Sequence, residues 1–374
     1  MTKSGKNSDS LELALGKVVH VVPGDGPNSL VQEIIRGSIL ENRVIAIQNL
    51  DQTMERFCKK EGISFSHLGS NRSSILLDAY NLIRLIRKSN AKVIFLHSFY
   101  PSVLGVFLYV CNPKLKVVPV RHHNRVHLIA DNKLPILIDK LVSKLTTHTV
   151  AVSNSVRLTL IEQGCAASKV SVIYNGLPKQ NSSNTTRWQN ISNDGVLKIL
   201  CVGRLDWQKN YETTLKICQL LQDEKVNFEL DIYGTGGVEH TQHLSEMVQF
   251  FGLQRRVNFQ GFHENMTEVY ASSHVLLHPA FDEACPLVII EALLAGIPIV
   301  ASSAGGTGEI LKNRYSICEP TNANCFFQEI MKFNKSRILQ TIYAEKLIPG
   351  ALKEFDPKIM QMKYTHLARQ LISS

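Results

Sequence analysis

The sequence is short of the features that would take a chain out of water or commit it to a cofactor. No apolar run reaches the roughly 18–20 residues needed to cross a bilayer. The opening residues, MTKSGKNSDS, lack the apolar centre of a secretion signal, so residues 1–16 are expected to be a flexible tail and the protein to be cytoplasmic. Eight cysteines (58, 111, 165, 201, 218, 285, 318 and 325) include no C-x-x-C pair and mostly sit in apolar runs. They are therefore expected to be reduced thiols. Aromatic residues make up 7% of the chain, and none forms the stacking-plus-basic pattern of a nucleic-acid binder. No fixed-period repeat is present.

What remains is the composition of an ordinary water-soluble globule, 44% hydrophobic and 20% charged. At 374 residues the chain exceeds one core, and two domains of roughly 180 residues are expected. The net charge of +9 is unevenly spread. Residues 1–187 carry 24 basic against 12 acidic side chains, and the rest carry 17 against 20. A basic first half suits an anionic membrane face or a phosphate-bearing substrate.

Strand-like and helix-like runs alternate along both halves. In the first, short β-branched runs occur at Val18–Val22, Val44–Gln48, Val93–His97, Val117–Val120, Thr149–Val152 and Val170–Ile173. Helical patterns lie between them at 30–40, Ile75–Arg87, Leu104–Cys111 and Ser153–Gln163. The stretch KQNSSNTTRWQNISNDG (179–195) is rich in Asn, Ser and Thr and reads as a linker. The alternation then restarts, with strands at Leu197–Val202, Phe228–Tyr233, Val257–Phe259, Val275–Leu277 and Ile297–Ala301. Helices are expected at Tyr211–Gln222, His240–Phe251 and Met266–Ser272. Such alternation implies α/β domains with doubly wound parallel sheets, whose ligands sit at the carboxyl ends of the strands. The expected division is a first domain 17–178, the linker 179–195, a second domain 196–355, and a terminal helix 356–374 packing back on the first.

The densest chemistry lies in FDEACPLVIIEALLAGIPIVASSAGGTGEI (281–310). Glu283 is expected in a loop and Glu291 eight residues later within a helix that Pro286 opens. Helix amides there can meet an anion, while carboxylates accept hydrogen bonds from sugar hydroxyls. Upstream, the strand Leu197–Val202 runs into Gly203-Arg204-Leu205-Asp206-Trp207-Gln208-Lys209. Arg204 and Lys209 on one strand-to-helix loop suit a diphosphate, the first as a planar fork and the second as a point charge. Tyr233-Gly234-Thr235-Gly236-Gly237 resembles a nucleotide loop. Gly261-Phe262 follows another strand and could wall a nucleobase.

Six pieces in this order, VIYNGL (172–177), VGRLDWQKN (202–210), DIYGTG (231–236), VNFQGF (257–262), the Glu283–Glu291 element and AGGTGEI (304–310), resemble the family 4 glycosyltransferases, which have the GT-B fold of two Rossmann-like domains facing a cleft. The resemblance covers nearly all of the second half and the end of the first. It implies a retaining, metal-independent hexosyltransferase that needs no cofactor and uses a UDP- or GDP-sugar as co-substrate. A hexose or N-acetylhexosamine would pass to a glycan or lipid-linked acceptor in cell-surface polysaccharide synthesis, at the inner face of the plasma membrane. Gly203, Arg204, Lys209 and Gly234 would border the diphosphate, and Glu291 would take the ribose. Glu283 would hold the donor sugar, Pro286, Leu287 and Val288 would offer backbone amides, and Gly261 with Phe262 would border the base.

The first half departs further from the family pattern. Asn28-Ser29 stands where the family often has a glycine pair, with Gly24 and Gly26 just before; these four form the candidate phosphate loop. Cys285-Pro286 replaces the commoner aromatic-glycine pair. Arg121-His122-His123-Asn124 closes a strand where the family commonly has a histidine facing the interdomain cleft, and either His122 or His123 is expected to orient the acceptor or steady developing charge, with His123 preferred. His97 is a further candidate. The rival readings are an epimerase or hydrolase acting on the nucleotide sugar, and a scaffold subunit that binds it without catalysis.

Overall fold

The computed structural model describes residues 17–24, 28–36, 38–49, 52–70, 74–129, 131, 133–178, 195–312, 317–335 and 349–374. The expected tail 1–16, linker residues 179–194 and Gly26 lie outside them. The chain divides into two compact units, Met1–Gly176 with Pro357–Ser374, and Leu177–Asp356.

The first unit is built on strands β1 (Val18–Gly24), β2 (Asn42–Gln48), β3 (Ser64–His67), β4 (Val93–His97), β5 (Lys116–Arg121), β6 (Thr149–Ala151) and β7 (Val170–Val172). They form one parallel sheet in the order β3-β2-β1-β4-β5-β6-β7. Its helices are α1 (Ser29–Ile35), α2 (Thr53–Lys60), α3 (Ile75–Ser89), α4 (Phe99–Cys111), α5 (Val126–Ile129), α6 (Lys133–Leu145) and α7 (Asn154–Glu162). Central strands are covered on both faces, which is why β1, β4 and β5 read as continuous Val/Ile/Leu runs. Alternate residues face opposite layers. Val19, Val21, Ile94 and Leu96 join Leu82 of α3 and Leu104 of α4 in one core. His20, Phe95 and His97 lie on the other face, where Tyr364 of the C-terminal helix (Pro357–Ser373) meets Phe95 edge-on, centroids 5.2 Å apart. Gln361 Nε2 also donates to the Glu33 carbonyl of α1 at 2.7 Å. Hydroxyl caps start two of the helices. Ser74 accepts from Leu77 N–H and Ser153 from Val156 N–H.

The second unit carries β8 (Leu197–Val202), β9 (Phe228–Tyr233), β10 (Val257–Gly261), β11 (Val275–His278), β12 (Ile299–Ser302) and β13 (Ile317–Cys318), in the order β10-β9-β8-β11-β12-β13 and all parallel. Its helices are α8 (Tyr211–Asp223), α9 (Val238–Phe250), α10 (Met266–Ser272), α11 (Leu287–Ala295), α12 (Thr307–Leu311) and α13 (Ala323–Lys335). Strand order reverses between β1 and β4 in the first unit and between β8 and β11 in the second. Loops leaving neighbouring strands diverge at such points, and ligands bind there.

Three expectations change. Cys318 and Cys325 are bonded to each other rather than free: β13 delivers one and the first turn of α13 the other, with Cα atoms 5.8 Å apart. The sequence hides this because seven residues separate them and no motif marks the turn between. Pro286 is the cap residue before α11, one position earlier than expected, with ψ 111° still extended. Strand Ile297–Ala301 begins later, at Ile299, because Ile297 N–H closes the end of α11 on the Ala292 carbonyl. No described helix is long and apolar enough to cross a membrane.

Candidate functional site

In the second unit, the loops leaving β8 and β11 are tied together at the strand-order reversal. Asp206 caps a single 3₁₀ turn, Trp207–Lys209, by accepting from Lys209 N–H. Asn210 follows in the left-handed region at φ 56°, and its amide donates to the carbonyls of Pro279 and Pro320, at 2.9 and 2.8 Å. Gln208 donates to the Asp282 carbonyl at 2.7 Å, and its own carbonyl accepts from Phe281 N–H. These contacts aim Lys209 at Glu283. The ammonium lies 2.5 Å from Glu283 Oε1, and His278 Nε2 lies 2.8 Å from the same oxygen. Glu283 Oε2 has no partner among the described residues.

Glu283 is 6% exposed. Burial by itself would raise its pKa, but the Lys209 charge and the His278 hydrogen bond outweigh it and hold the carboxyl down at about 2. Burial keeps His278 below its ordinary value, so it is a neutral donor at pH 7. The site is thus a carboxylate fixed by one cation and one imidazole.

The glycines here serve the backbone. Gly234 has φ 142°, and a Cβ on it would stand 1.9 Å from the Gly203 carbonyl oxygen. Gly203 N–H bonds the Tyr233 carbonyl, Leu205 N–H the Thr235 carbonyl, and Gly234 N–H the Gly261 carbonyl. The loops after β8, β9 and β10 are thereby stacked edge to edge, and this close approach explains why Gly234 and Gly236 of YGTGG must be glycine, a Cβ on the latter standing 2.1 Å from the Leu205 carbonyl oxygen. Phe262 beyond Gly261 is well exposed.

Glu291 lies in the second turn of α11, buried deeply enough to raise its pKa, with Tyr270 Oη donating to it at 2.6 Å. No side chain caps α11, which leaves the amides of Leu287 and Val288 facing outward from its first turn. Gly306 N–H bonds the Glu283 carbonyl and links the AGG turn to the same loop. Arg204 is not gathered into this cluster. Its side chain is 74% exposed and pairs with Asp206 at 3.1 Å.

In the first unit the candidates fall into two groups. His123, His127 and Arg121 converge on Asp139 Oδ2, at 3.2, 3.0 and 3.0 Å. Burial pushes His123 down to about 4 against the pull of Asp139, and Asp139 is itself held low by its partners despite burial. The ligand atoms of His123, His127 and Asp139 lie within 4.8 Å of one another, close enough for a cation. The Arg121 guanidinium already supplies positive charge to that oxygen, so the cluster is complete as an ion network. His122 belongs to a separate row with His97 and His20. Asn28, expected near phosphate, spends its side-chain oxygen on Val31 N–H and caps α1; Ser29 is the first helical residue, and Gly24 ends β1.

Sequence reasoning did not single out His278, Tyr270, Asp139, His127 or His20. His278 alone had a legible signal: it ends a buried strand five residues before Glu283.

The family described as "Glycosyl transferases group 1" matches residues 182–351, and that described as "Glycosyltransferase Family 4" matches residues 45–180. An uncharacterised 41.2 kDa protein of the cps region of Klebsiella pneumoniae is 25% identical over 314 residues, 79% of this chain and 83% of its own length. The amylovoran biosynthesis glycosyltransferase AmsK of Erwinia amylovora is 26% identical over 168 residues, 42% of this chain and 39% of the relative. Among solved structures, Anabaena Alr3699/HepE in complex with UDP and glucose superposes with a TM-score of 0.81 at 16% identity, over 96% of this chain and all of that one. The two matches together span most of the chain, which belongs to these group 1, family 4 glycosyltransferases and has the GT-B fold.

Proposed function

We propose that the protein transfers a hexose or N-acetylhexosamine from a UDP- or GDP-sugar, with retention and without a metal, to a glycan or lipid-linked acceptor. The carrying observation is the buried Lys209–Glu283–His278 cluster at the strand-order reversal of the second unit. A diphosphate arriving beside Lys209 competes with Glu283 for the ammonium, and Arg204 swings from Asp206 to add a second cation. The leaving diphosphate is then stabilised by fixed positive charge, the part a metal plays elsewhere. Glu283 Oε2 accepts from a donor-sugar hydroxyl, and Glu291 from the ribose. The amides of Leu287 and Val288 supply the helix N-terminal end to sugar or phosphate. HepE, whose fold this chain shares, was solved with UDP-glucose, which supports a nucleotide sugar as donor.

The first unit takes the acceptor in this reading, and peripheral contact with an anionic membrane suits a lipid-linked one. On α6, Leu134, Leu137 and Leu141 are exposed and Lys133, Lys140 and Lys144 share the helix, an amphipathic surface for anionic lipid. A thermal-shift panel of UDP-, GDP- and ADP-sugars tests the donor. A stabilising UDP- or GDP-sugar is expected, and no shift with any member would overturn the reading. Sedimentation with anionic vesicles at low salt tests the membrane contact, which is abandoned if the protein stays in the supernatant.

A further inference from the structure

A row of three imidazoles crosses the first unit's sheet, and its hydrogen bonds run one way. His20 stands on β1, His97 at the end of β4, and His122 just past β5, on neighbouring strands. His20 Nδ1 lies 3.0 Å from His97 Nε2, and His97 Nδ1 lies 3.4 Å from His122 Nε2. The rings are stacked, with centroids 5.3 and 5.6 Å apart. At the far end, His20 Nε2 lies 3.2 Å from Asn42 Oδ1. The Asn42 amide is itself oriented, because its Nδ2 donates to the Leu40 carbonyl at 2.9 Å.

Each step then follows from donor and acceptor counting. A carboxamide oxygen only accepts, so His20 carries its proton on Nε2. A neutral imidazole has one donor and one acceptor, so His20 Nδ1 must accept from His97 Nε2–H. By the same rule His97 Nδ1 accepts from His122 Nε2–H. His122 is left with a bare lone pair on Nδ1, which has no partner among the described residues. Burial keeps all three rings neutral near pH 7: His20 and His122 are lowered to about 4, and His97 well below its ordinary value. His20 and His97 are buried, whereas His122 is partly exposed.

We propose that Asn42 acts as a positioning residue that fixes the tautomers of this row, so that His122 presents an unprotonated Nδ1 to a hydroxyl of a sugar substrate. The proposal rests on the transfer reading above and separates His122 from His123, whose Nε2 is committed to Asp139. Without the Asn42 oxygen, the mirror arrangement becomes available: His20 Nδ1–H to His97, His97 Nδ1–H to His122, and His122 Nδ1–H pointing outward. A donor then stands where an acceptor is needed.

The test uses the full chain with ¹⁵N-labelled histidine. Long-range imidazole ¹⁵N spectra at pH 7.5 should show His20, His97 and His122 as Nε2–H tautomers in the wild type. Asn42→Leu should mix or reverse them, and Asn42→Asp, which keeps an acceptor, should restore them. The turnover arm measures UDP or GDP release from the donor sugar, with octyl glycosides or water as the accepting hydroxyl. Asn42→Leu should lower kcat about tenfold, the worth of one well-placed hydrogen bond, and Asn42→Asp should recover it to within about twofold. Calorimetric affinity for the bare nucleotide should be unchanged in both variants. A larger effect on the octyl-glycoside reaction than on hydrolysis assigns the hydroxyl to the acceptor, and equal effects assign it to the donor sugar. Nδ1–H tautomers in the wild type, or a reversed row with unaltered turnover, would overturn the proposal while leaving the transferase reading in place. Failure of the wild type to release nucleotide from any donor would instead overturn that reading.

Discussion

Replacing Lys209 by Met asks what the buried cluster costs when its cation is removed. Methionine keeps most of the stem, which lies along Gly203, and deletes only the charge. Glu283 would then be a carboxylate at 6% exposure whose remaining partner is a neutral imidazole. Breaking a buried pair in this way costs about 3–5 kcal/mol, mostly the penalty of the uncompensated charge. In a unit of this size each kcal/mol moves Tm by roughly 2–4 °C, so a fall of roughly 10 °C is expected. Adding Glu283→Gln to Lys209→Met removes the charge, and the amide oxygen can still accept from His278. The double variant should therefore be more stable than Lys209→Met alone, by about 2 kcal/mol. Urea unfolding followed by fluorescence, with Trp207 beside the cluster as a reporter, reads the effect. Glu283 has its folded pKa below the unfolded 4.5, so its pair contributes fully above about pH 4.5 and is lost as pH falls toward 2. The gap between wild type and Lys209→Met should accordingly narrow as pH falls below 4.5 and close only toward pH 2. Additive costs for the two substitutions, or a gap that does not narrow between pH 4.5 and pH 2, would refute the reasoning.

Other perturbations reach the rest of the molecule. His20, His122 and His123 are held at about 4 by burial, below an unfolded value of 6.5. The unfolded chain therefore binds protons first, and stability should fall as pH drops from 6.5 towards 4, by up to about 1.4 kcal/mol per pH unit for each histidine. Thermal melts that are flat between pH 7.5 and 5 would contradict this. Reducing the Cys318–Cys325 bond, or replacing both residues by Ser, should destabilise the second unit by about 2–3 kcal/mol, the loop-entropy value for so short a closure; an unchanged urea midpoint under a thiol reductant counts against it. Gly234→Ala places a Cβ against the Gly203 carbonyl at a positive φ and should cost at least about 2 kcal/mol while weakening nucleotide binding. Gly237→Ala, with open space around it, is the matched control and should be silent in both assays.

The fold was legible because buried parallel strands announce themselves as β-branched runs, and ten of the eleven runs named from sequence became strands at nearly the same bounds, while the eleventh starts two residues late. Strand β3 was missed because SFSH lies at the sheet edge, half exposed, and carries no β-branched residue. Helix α6 was missed because Pro135 sits near its start, where a proline costs nothing but reads as a break. Within the candidate site, Lys209, Glu283 and Glu291 could be named from local motifs. That Lys209 and Glu283 meet could not, since 74 residues separate them and only the sheet order brings their loops together. Partners such as Tyr270, Asp139 and Asn42 carry no local signal at all: a polar residue's hydrogen bond to an element distant in sequence leaves no periodicity behind.

Calorimetric titration of the bare nucleoside diphosphate into wild type, Arg204→Ala, Lys209→Ala and Glu283→Ala tests the donor site most directly. The account predicts binding to the wild type, weakening of about tenfold or more in each cation variant, and affinity retained or tightened in Glu283→Ala, where no carboxylate competes for Lys209, with its defect appearing in turnover. Unchanged affinity in both Arg204→Ala and Lys209→Ala would contradict it.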